Sequence, residues 1–177
     1  MEEYDEDKTI FDFENDDTIL SVWIDKYVDD PCYAEDGHVP EDPGLRLNGL
    51  ACGRNIAAKD GSGSSWMFAH EIIMTHDVVA LRDGVRAFAK GEINSFGPYP
   101  KKDPYGGDRP FFSLWLHRNE NGNVSFSALT DAPGIGIDEV EGMMSAARLD
   151  ELCAYFARIA EWFPPRVEEG PAQESLG

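Results

Sequence analysis

Ile10-Phe11-Asp12-Phe13 alternates apolar and polar side chains. Thr18 to Val28 does so again, with Leu20, Val22 and Ile24 on one face and Ile19, Trp23 and Tyr27 on the other. A period of two is that of a half-buried strand. Glu14-Asn15-Asp16-Asp17 between them has turn chemistry, so the two strands are expected to form a hairpin. Residues 29–44 then carry three prolines, two glycines and six acids without hydrophobic period, and predict a long exposed loop. Leu45 to Arg54 predicts a third strand. Trp66 to Met74 predicts a fourth, with Trp66, Phe68, His70, Ile72 and Met74 on one side, entered through the turn at residues 59–64.

The spacing changes at residue 76. Val78, Leu81, Val85 and Phe88 recur at helical intervals, so a helix is expected over 76–90, with Thr75 as its N-cap, Asp77 at the positive end of its dipole and Gly91 just past its end. Gly84 lowers the helix propensity and permits close packing on a sheet. Residues 92–110, with Phe96-Gly97-Pro98-Tyr99-Pro100 and Asp103-Pro104-Tyr105-Gly106-Gly107, predict a second loop with little regular structure. Phe111 to Arg118 and Asn123 to Thr130 are two strands whose connection contains Asn121-Gly122, a strong hairpin signal. After a bend at Pro133-Gly134, 135–140 adds a last strand. Ser145 then caps a helix over 146–163 with a stripe of Leu149, Leu152, Cys153, Phe156, Ile159, Ala160 and Phe163, ended by Pro164-Pro165.

Strands linked by hairpins and interrupted by helices predict an α+β fold, a mainly antiparallel sheet of six to seven strands with two amphipathic helices packed against it. Residues 1–9 are expected to be an acidic, flexible N-terminus, 10–166 a single domain and 167–177 a disordered tail. No internal repeat is visible in the sequence.

Composition narrows the function. The 177 residues fit one domain, and no apolar run approaches a membrane span. The acidic start, Met1 to Asp7, is unlike a signal peptide, and the three cysteines, Cys32, Cys52 and Cys153, lack C-x-x-C spacing, so a cytoplasmic, reducing location without disulfides or structural zinc is expected. The formal charge is −19, and residues 1–43 hold 16 of the 34 acids against Lys8 and Lys26 alone, a local charge of −14. Such a field repels nucleic acid and anionic lipid, so neither is an expected partner.

Catalytic templates are not met. His70-Glu71 with His76 is not H-E-x-x-H, His76 opens a helix, and His117 pairs with Asp131 only if a hairpin register allows it. Cys153 lies in the last helix's apolar stripe and reads as a buried structural thiol, while Cys32 and Cys52, in or near loops, have no histidine fixed beside them. Gly134-Ile135-Gly136 and Gly61-Ser62-Gly63 do not make a phosphate loop. No cofactor, metal or catalytic residue is assigned. The bland reading of the acidic segment is a solvated face. The sharper one joins its acids to the aromatics between them, as a surface that steers and anchors a basic protein through Asp12, Glu14, Asp16, Asp17, Trp23, Asp25, Tyr27, Asp29, Asp30, Tyr33, Glu35 and Asp36.

The layout from Thr18 to Arg166, ending in Phe163-Pro164-Pro165-Arg166, resembles small bacterial immunity proteins of polymorphic toxin systems, including the group typified by the immunity protein of the WapA toxin. The resemblance implies a cytosolic antidote binding its toxin one to one. The expected function is an acidic inhibitor, not an enzyme, that neutralises a basic toxin or nuclease by direct protein-protein binding. The alternatives are a phage-encoded DNA-mimic inhibitor of a defence nuclease and, less favoured, a small hydrolase using His70, His117 or Asp131.

Overall fold

Phe11 and Phe13 point inward and Ile10, Asp12 and Glu14 outward along β1 (Ile10–Glu14), as the alternation requires. β1 pairs with β2 (Thr18–Tyr27), which buries Leu20, Val22 and Ile24. In the computed structural model, which describes residues 2–36, 39–132 and 136–168, β3 (Gly49–Ala58) and β4 (Ser64–Met74) complete an antiparallel sheet in the order β1-β2-β3-β4. A long helix, Thr75–Ala89, follows it. Four more strands, β5 (Ser95–Tyr99), β6 (Phe112–Arg118), β7 (Val124–Ala132) and β8 (Gly136–Met144), make a second antiparallel sheet, again followed by a long helix, Ala146–Trp162. The chain therefore builds the same unit twice, four meandering strands and then a helix.

Two short helices precede β3, so the four are α1 (Pro31–Asp36), α2 (Pro43–Asn48), α3 (Thr75–Ala89) and α4 (Ala146–Trp162). The α+β class and the antiparallel pairing agree with the sequence. The single sheet of six to seven strands and the count of two helices do not, since the described residues form eight strands in two sheets and two extra helices. Hairpin signals pair neighbours along the chain, but they carry no information on whether the second run of strands extends the first.

The third strand begins later than its apolar residues suggest. Asp42 accepts hydrogen bonds from the Gly44 and Leu45 amides at 2.8 and 3.1 Å, and Pro43 sits in the first turn, so a helix nucleates there and β3 starts at Gly49. α1 begins in the same way, at Asp30-Pro31, with the Asp30 carboxylate accepting from the Cys32 amide at 2.9 Å. In the expected loop 92–110, β5 forms as an edge strand. Its proline, Pro98, is accommodated by a register shift between Phe96 and Tyr99, and the Phe96 ring occupies the space opened by Gly84, where a Cβ would lie 1.9 Å from it. Thr75 is not the N-cap of α3. Its hydroxyl donates to Asn48 Oδ1 at 3.1 Å, and Met74 occupies the cap position.

One core joins both sheets and both long helices, from Phe11, Phe13 and Leu20 through Leu81 and Phe88 to Leu114, Phe126, Leu152 and Phe156. Residues 2–9 lie against α4. The Tyr4 ring stands edge-on to Trp162 at 5.1 Å, Trp162 Nε1 donates to the Glu2 carbonyl at 3.1 Å, and the buried Tyr155 hydroxyl donates to the Thr9 carbonyl at 2.8 Å. The bend at Pro133-Gly134, the first residue of the expected last strand and the tail over 169–177 lie outside the described residues, as do the side chains of 34–36 and 66–70. Among the described residues no helix is long and apolar enough to cross a membrane.

Candidate functional site

β1 and β8 are the edge strands at which the two sheets meet. The β1–β2 turn is fixed there by Asn15, whose Oδ1 accepts from the Asp17 and Thr18 amides at 2.9 Å each and whose Nδ2 donates to the Glu141 carbonyl at 2.9 Å. A groove of about 570 Å³ runs along this junction, lined by Asp12, Glu14, Asp16, Asp17 and Glu141 with only Lys59 and Arg148 as cations. Both cations are engaged. Lys59 lies 3.5 Å from Glu14, and Arg148 pairs with Glu151, bonds the Asp12 carbonyl and covers the Phe11 ring at 4.2 Å. Asp12 accepts from the Ser21 hydroxyl at 2.5 Å. Four of the sequence-selected acids thus share one exposed concavity, with a fifth, Glu141, that the sequence reading did not select.

The other selected residues are placed differently. Asp25 is half-buried beside Lys26 at 3.6 Å, and burial raises its carboxyl above the ordinary value against the pull of that lysine. Asp29 pairs with Arg166 at 3.0 Å, and Asp30 starts α1. Tyr27 donates to the Pro164 carbonyl at 2.7 Å, and Arg166 lies 3.7 Å over its ring. The Phe163-Pro-Pro-Arg166 segment is a structural clamp, since Arg166 also donates through Nε to the Leu47 carbonyl at 2.8 Å and its amide to Asn48 Oδ1 at 2.7 Å. Tyr33 is buried, which pushes its hydroxyl up to about 12, and Trp23 is half-buried across Gly53, where a Cβ would meet the indole at 2.3 Å. The side chains of Glu35 and Asp36 lie outside the described residues. Acids and aromatics alternate along β1 because its two faces differ, and the aromatic half of that pattern belongs to the core.

The outward face of the second sheet carries a second concavity, of about 580 Å³, walled by Pro98, Pro100, Lys101, Asp108, Arg109 and Pro110 and floored by Trp115, Leu129, Asp131, Ile137 and Glu139. Asp131 was a hydrolase candidate in the sequence and the others were not selected there, although the period-two pattern of β6 to β8 places Trp115, Leu129, Asp131, Ile137 and Glu139 on one face.

Candidate chemistry disperses. His117 stacks on Trp115 at 5.5 Å and pairs with Ser125, three cross-strand rows from Asp131, roughly 20 Å at the rise of a strand. The side chain of His70 lies outside the described residues. Cys52 is buried within β3 and not in or near a loop as expected, and its thiol is raised well above the usual value by burial. Cys153 is half-buried, with Sγ 3.8 Å from the Val85 carbonyl, and its thiol is raised by burial. Cys32 is exposed. Among the described residues no group of three or more His, Cys, Asp or Glu is placed to hold a metal ion.

The geometry defines a two-sheet α+β protein with an acidic groove at one sheet junction and a mixed apolar groove on one sheet face. No protein-family model and none of the curated proteins matches the chain. Among solved structures it is similar to the plant transcriptional regulator PBF-2, at 12% identity over 87% of this chain and 81% of that one, with a TM-score of 0.46. A likeness that distant carries no inference.

Proposed function

We propose that the protein is an inhibitor that neutralises a basic partner by direct binding in the cytoplasm, in the manner of an immunity protein against a bacterial toxin. The observation that supports this is the acidic groove between the edge strands, where five carboxylates face two cations that are already occupied. Carboxylates fixed on strands and on a braced turn accept lysine or arginine side chains with little loss of side-chain freedom, and the charge of −19 accelerates encounter with a basic surface. Electrostatic association of this kind weakens with salt, because the Debye length shrinks from about 10 Å at 0.1 M to about 3 Å at 1 M.

Affinity capture from the native host at low and high salt tests the reading. The expected result is a basic protein retained at low salt, released by high salt, and lost from a variant carrying Asp12→Asn, Glu14→Gln, Asp16→Asn and Asp17→Asn. A partner held equally by the amide variant would remove the acidic groove from the interface. A captured partner of acidic surface charge would overturn the proposal.

A further inference from the structure

The groove on the second sheet differs in chemistry from the acidic one. Strand register sets its floor in rows, with Ser113, Leu129 and Glu139 in one, Trp115, Ser127 and Glu141 in the next, and Asp131 opposite Ile137 beyond them. Ile137 is 52% exposed, a large apolar side chain offered to solvent, and Trp115 has one face covered by His117, which leaves the other for an occupant. The Ser127 hydroxyl donates to Glu139 Oε1 at 2.6 Å and so holds that carboxylate in place.

Asp131 is the unusual member. Its side chain is 10% exposed, yet no hydrogen-bond donor reaches the carboxylate among the described residues, and its ion-pair partner is Arg109 Nη1 at 3.6 Å, on a side chain 74% exposed. With one distant, solvated counterion and a place on the lining of the concavity, the carboxylate can accept further donors.

We infer that this groove binds an arginine side chain within an otherwise apolar peptide segment, the guanidinium donating to Asp131 beside Glu139 and lying against Trp115, and the flanking residues packing on Leu129 and Ile137. A planar guanidinium matches a carboxylate and an indole face at once. Arg109 then acts as an internal competitor that a ligand arginine displaces. The proposal rests on the inhibitor reading only for the source of the segment, a basic partner protein. The chemistry of the groove can be tested without that partner.

The probes are the blocked peptide acetyl-Leu-Arg-Leu-amide and its uncharged analogue with citrulline in place of arginine, titrated against the full chain by calorimetry. The arginine peptide is expected to bind about tenfold or more tightly than the citrulline peptide, as the loss of one charge-assisted hydrogen bond requires. Asp131→Asn is expected to abolish that difference. Arg109→Ala is expected to tighten the arginine peptide several-fold while the fold is retained, and it carries the test if Asp131→Asn does not fold. Equal affinity for the two peptides, or saturation by neither in the wild type and in Arg109→Ala, overturns the inference. Such a failure while the amide variant of the acidic groove still loses its partner leaves the proposed function standing. Arginine-selective binding with a captured partner of acidic surface charge upholds this groove and overturns the function.

Discussion

Two residues show how much a single side chain decides in this fold. Arg54, on β3, is fully buried, and its guanidinium reaches Asp138 on β8 at 2.7 Å, an ion pair between the two sheets. Its alignment falls short of a hydrogen bond, and none of the three guanidinium nitrogens has a hydrogen-bond partner among the described residues. A buried charge left without its counterion is costly, whereas an apolar replacement of similar volume avoids the desolvation penalty. Asp138→Asn is therefore expected to lose about 3 kcal/mol of unfolding free energy in urea denaturation, and Arg54→Met to lose much less or to gain. Equal losses from the two would show that packing, and not charge, sets the worth of Arg54. Gly84 is the second case. Alanine there gains about 1 kcal/mol in helix propensity, but its Cβ would lie 1.9 Å from the Phe96 ring. A net loss of about 1–3 kcal/mol is expected for Gly84→Ala, largely recovered in the double variant with Phe96→Leu.

At the scale of elements, α4 organises both ends of the chain. Its stripe of Leu149, Leu152, Phe156 and Ile159 is buried in the core, and its outer turns hold residues 2–9 through the Tyr155 hydroxyl and Trp162. Tyr155→Phe leaves the buried Thr9 carbonyl without a donor. It is expected to cost about 1 kcal/mol and to speed amide exchange in residues 5–10 more than in β6 or β7, which hydrogen-exchange measurements would report. α3 and α4 were legible in the sequence because fifteen and seventeen residues of helical period leave little ambiguity. The hairpin at Asn121-Gly122 was legible through turn chemistry, and Gly122 does adopt φ +85°. α2 was misread as strand because Leu45 and Leu47 fit a period of two, although Asp42-Pro43 had already written a helix start. β5 stayed hidden because Phe96 earns its place by filling the gap at Gly84, a long-range contact with no local signal. The candidate surfaces were legible in part. Asp12 to Asp17 were found by charge alone, whereas Asp131 and Trp115 become neighbours only through the register of β6, β7 and β8.

For the whole molecule, the excess of negative charge and the burial of particular carboxylates act together on stability. Glu71, half-buried on β4, has its carboxyl raised above the ordinary 4.5, first by burial and then by the nearby Asp103 and Asp131. A raised carboxyl means that the folded state holds its proton to higher pH than the unfolded chain does. Stability at this site is therefore greatest at low pH, falls as pH rises through the window from 4.5 to the higher folded value, and stays reduced above it. Asp25, raised mainly by burial from 3.8, contributes in the same direction, and general repulsion at a charge of −19 also eases as acids protonate. Carboxylates in favourable pairs pull the other way, as Asp83 beside Arg82 and Glu2 beside Lys8 show, both lowered by their partners, but these groups are exposed and contribute little. The balance favours a melting temperature that rises as pH falls from 7 toward 5, before acid denaturation sets in. Glu71→Gln removes the penalty at one site. It is expected to melt above the wild type at pH 7, with the two curves converging as pH approaches 4.5, because a protonated glutamic acid and a glutamine are nearly isosteric and both neutral. Differential scanning calorimetry across this range decides the matter. A constant offset between the two proteins at every pH would mean that Glu71 acts through packing alone, and a lower melting temperature for the variant at pH 7 would mean that its charge is stabilised by a partner and not penalised by burial.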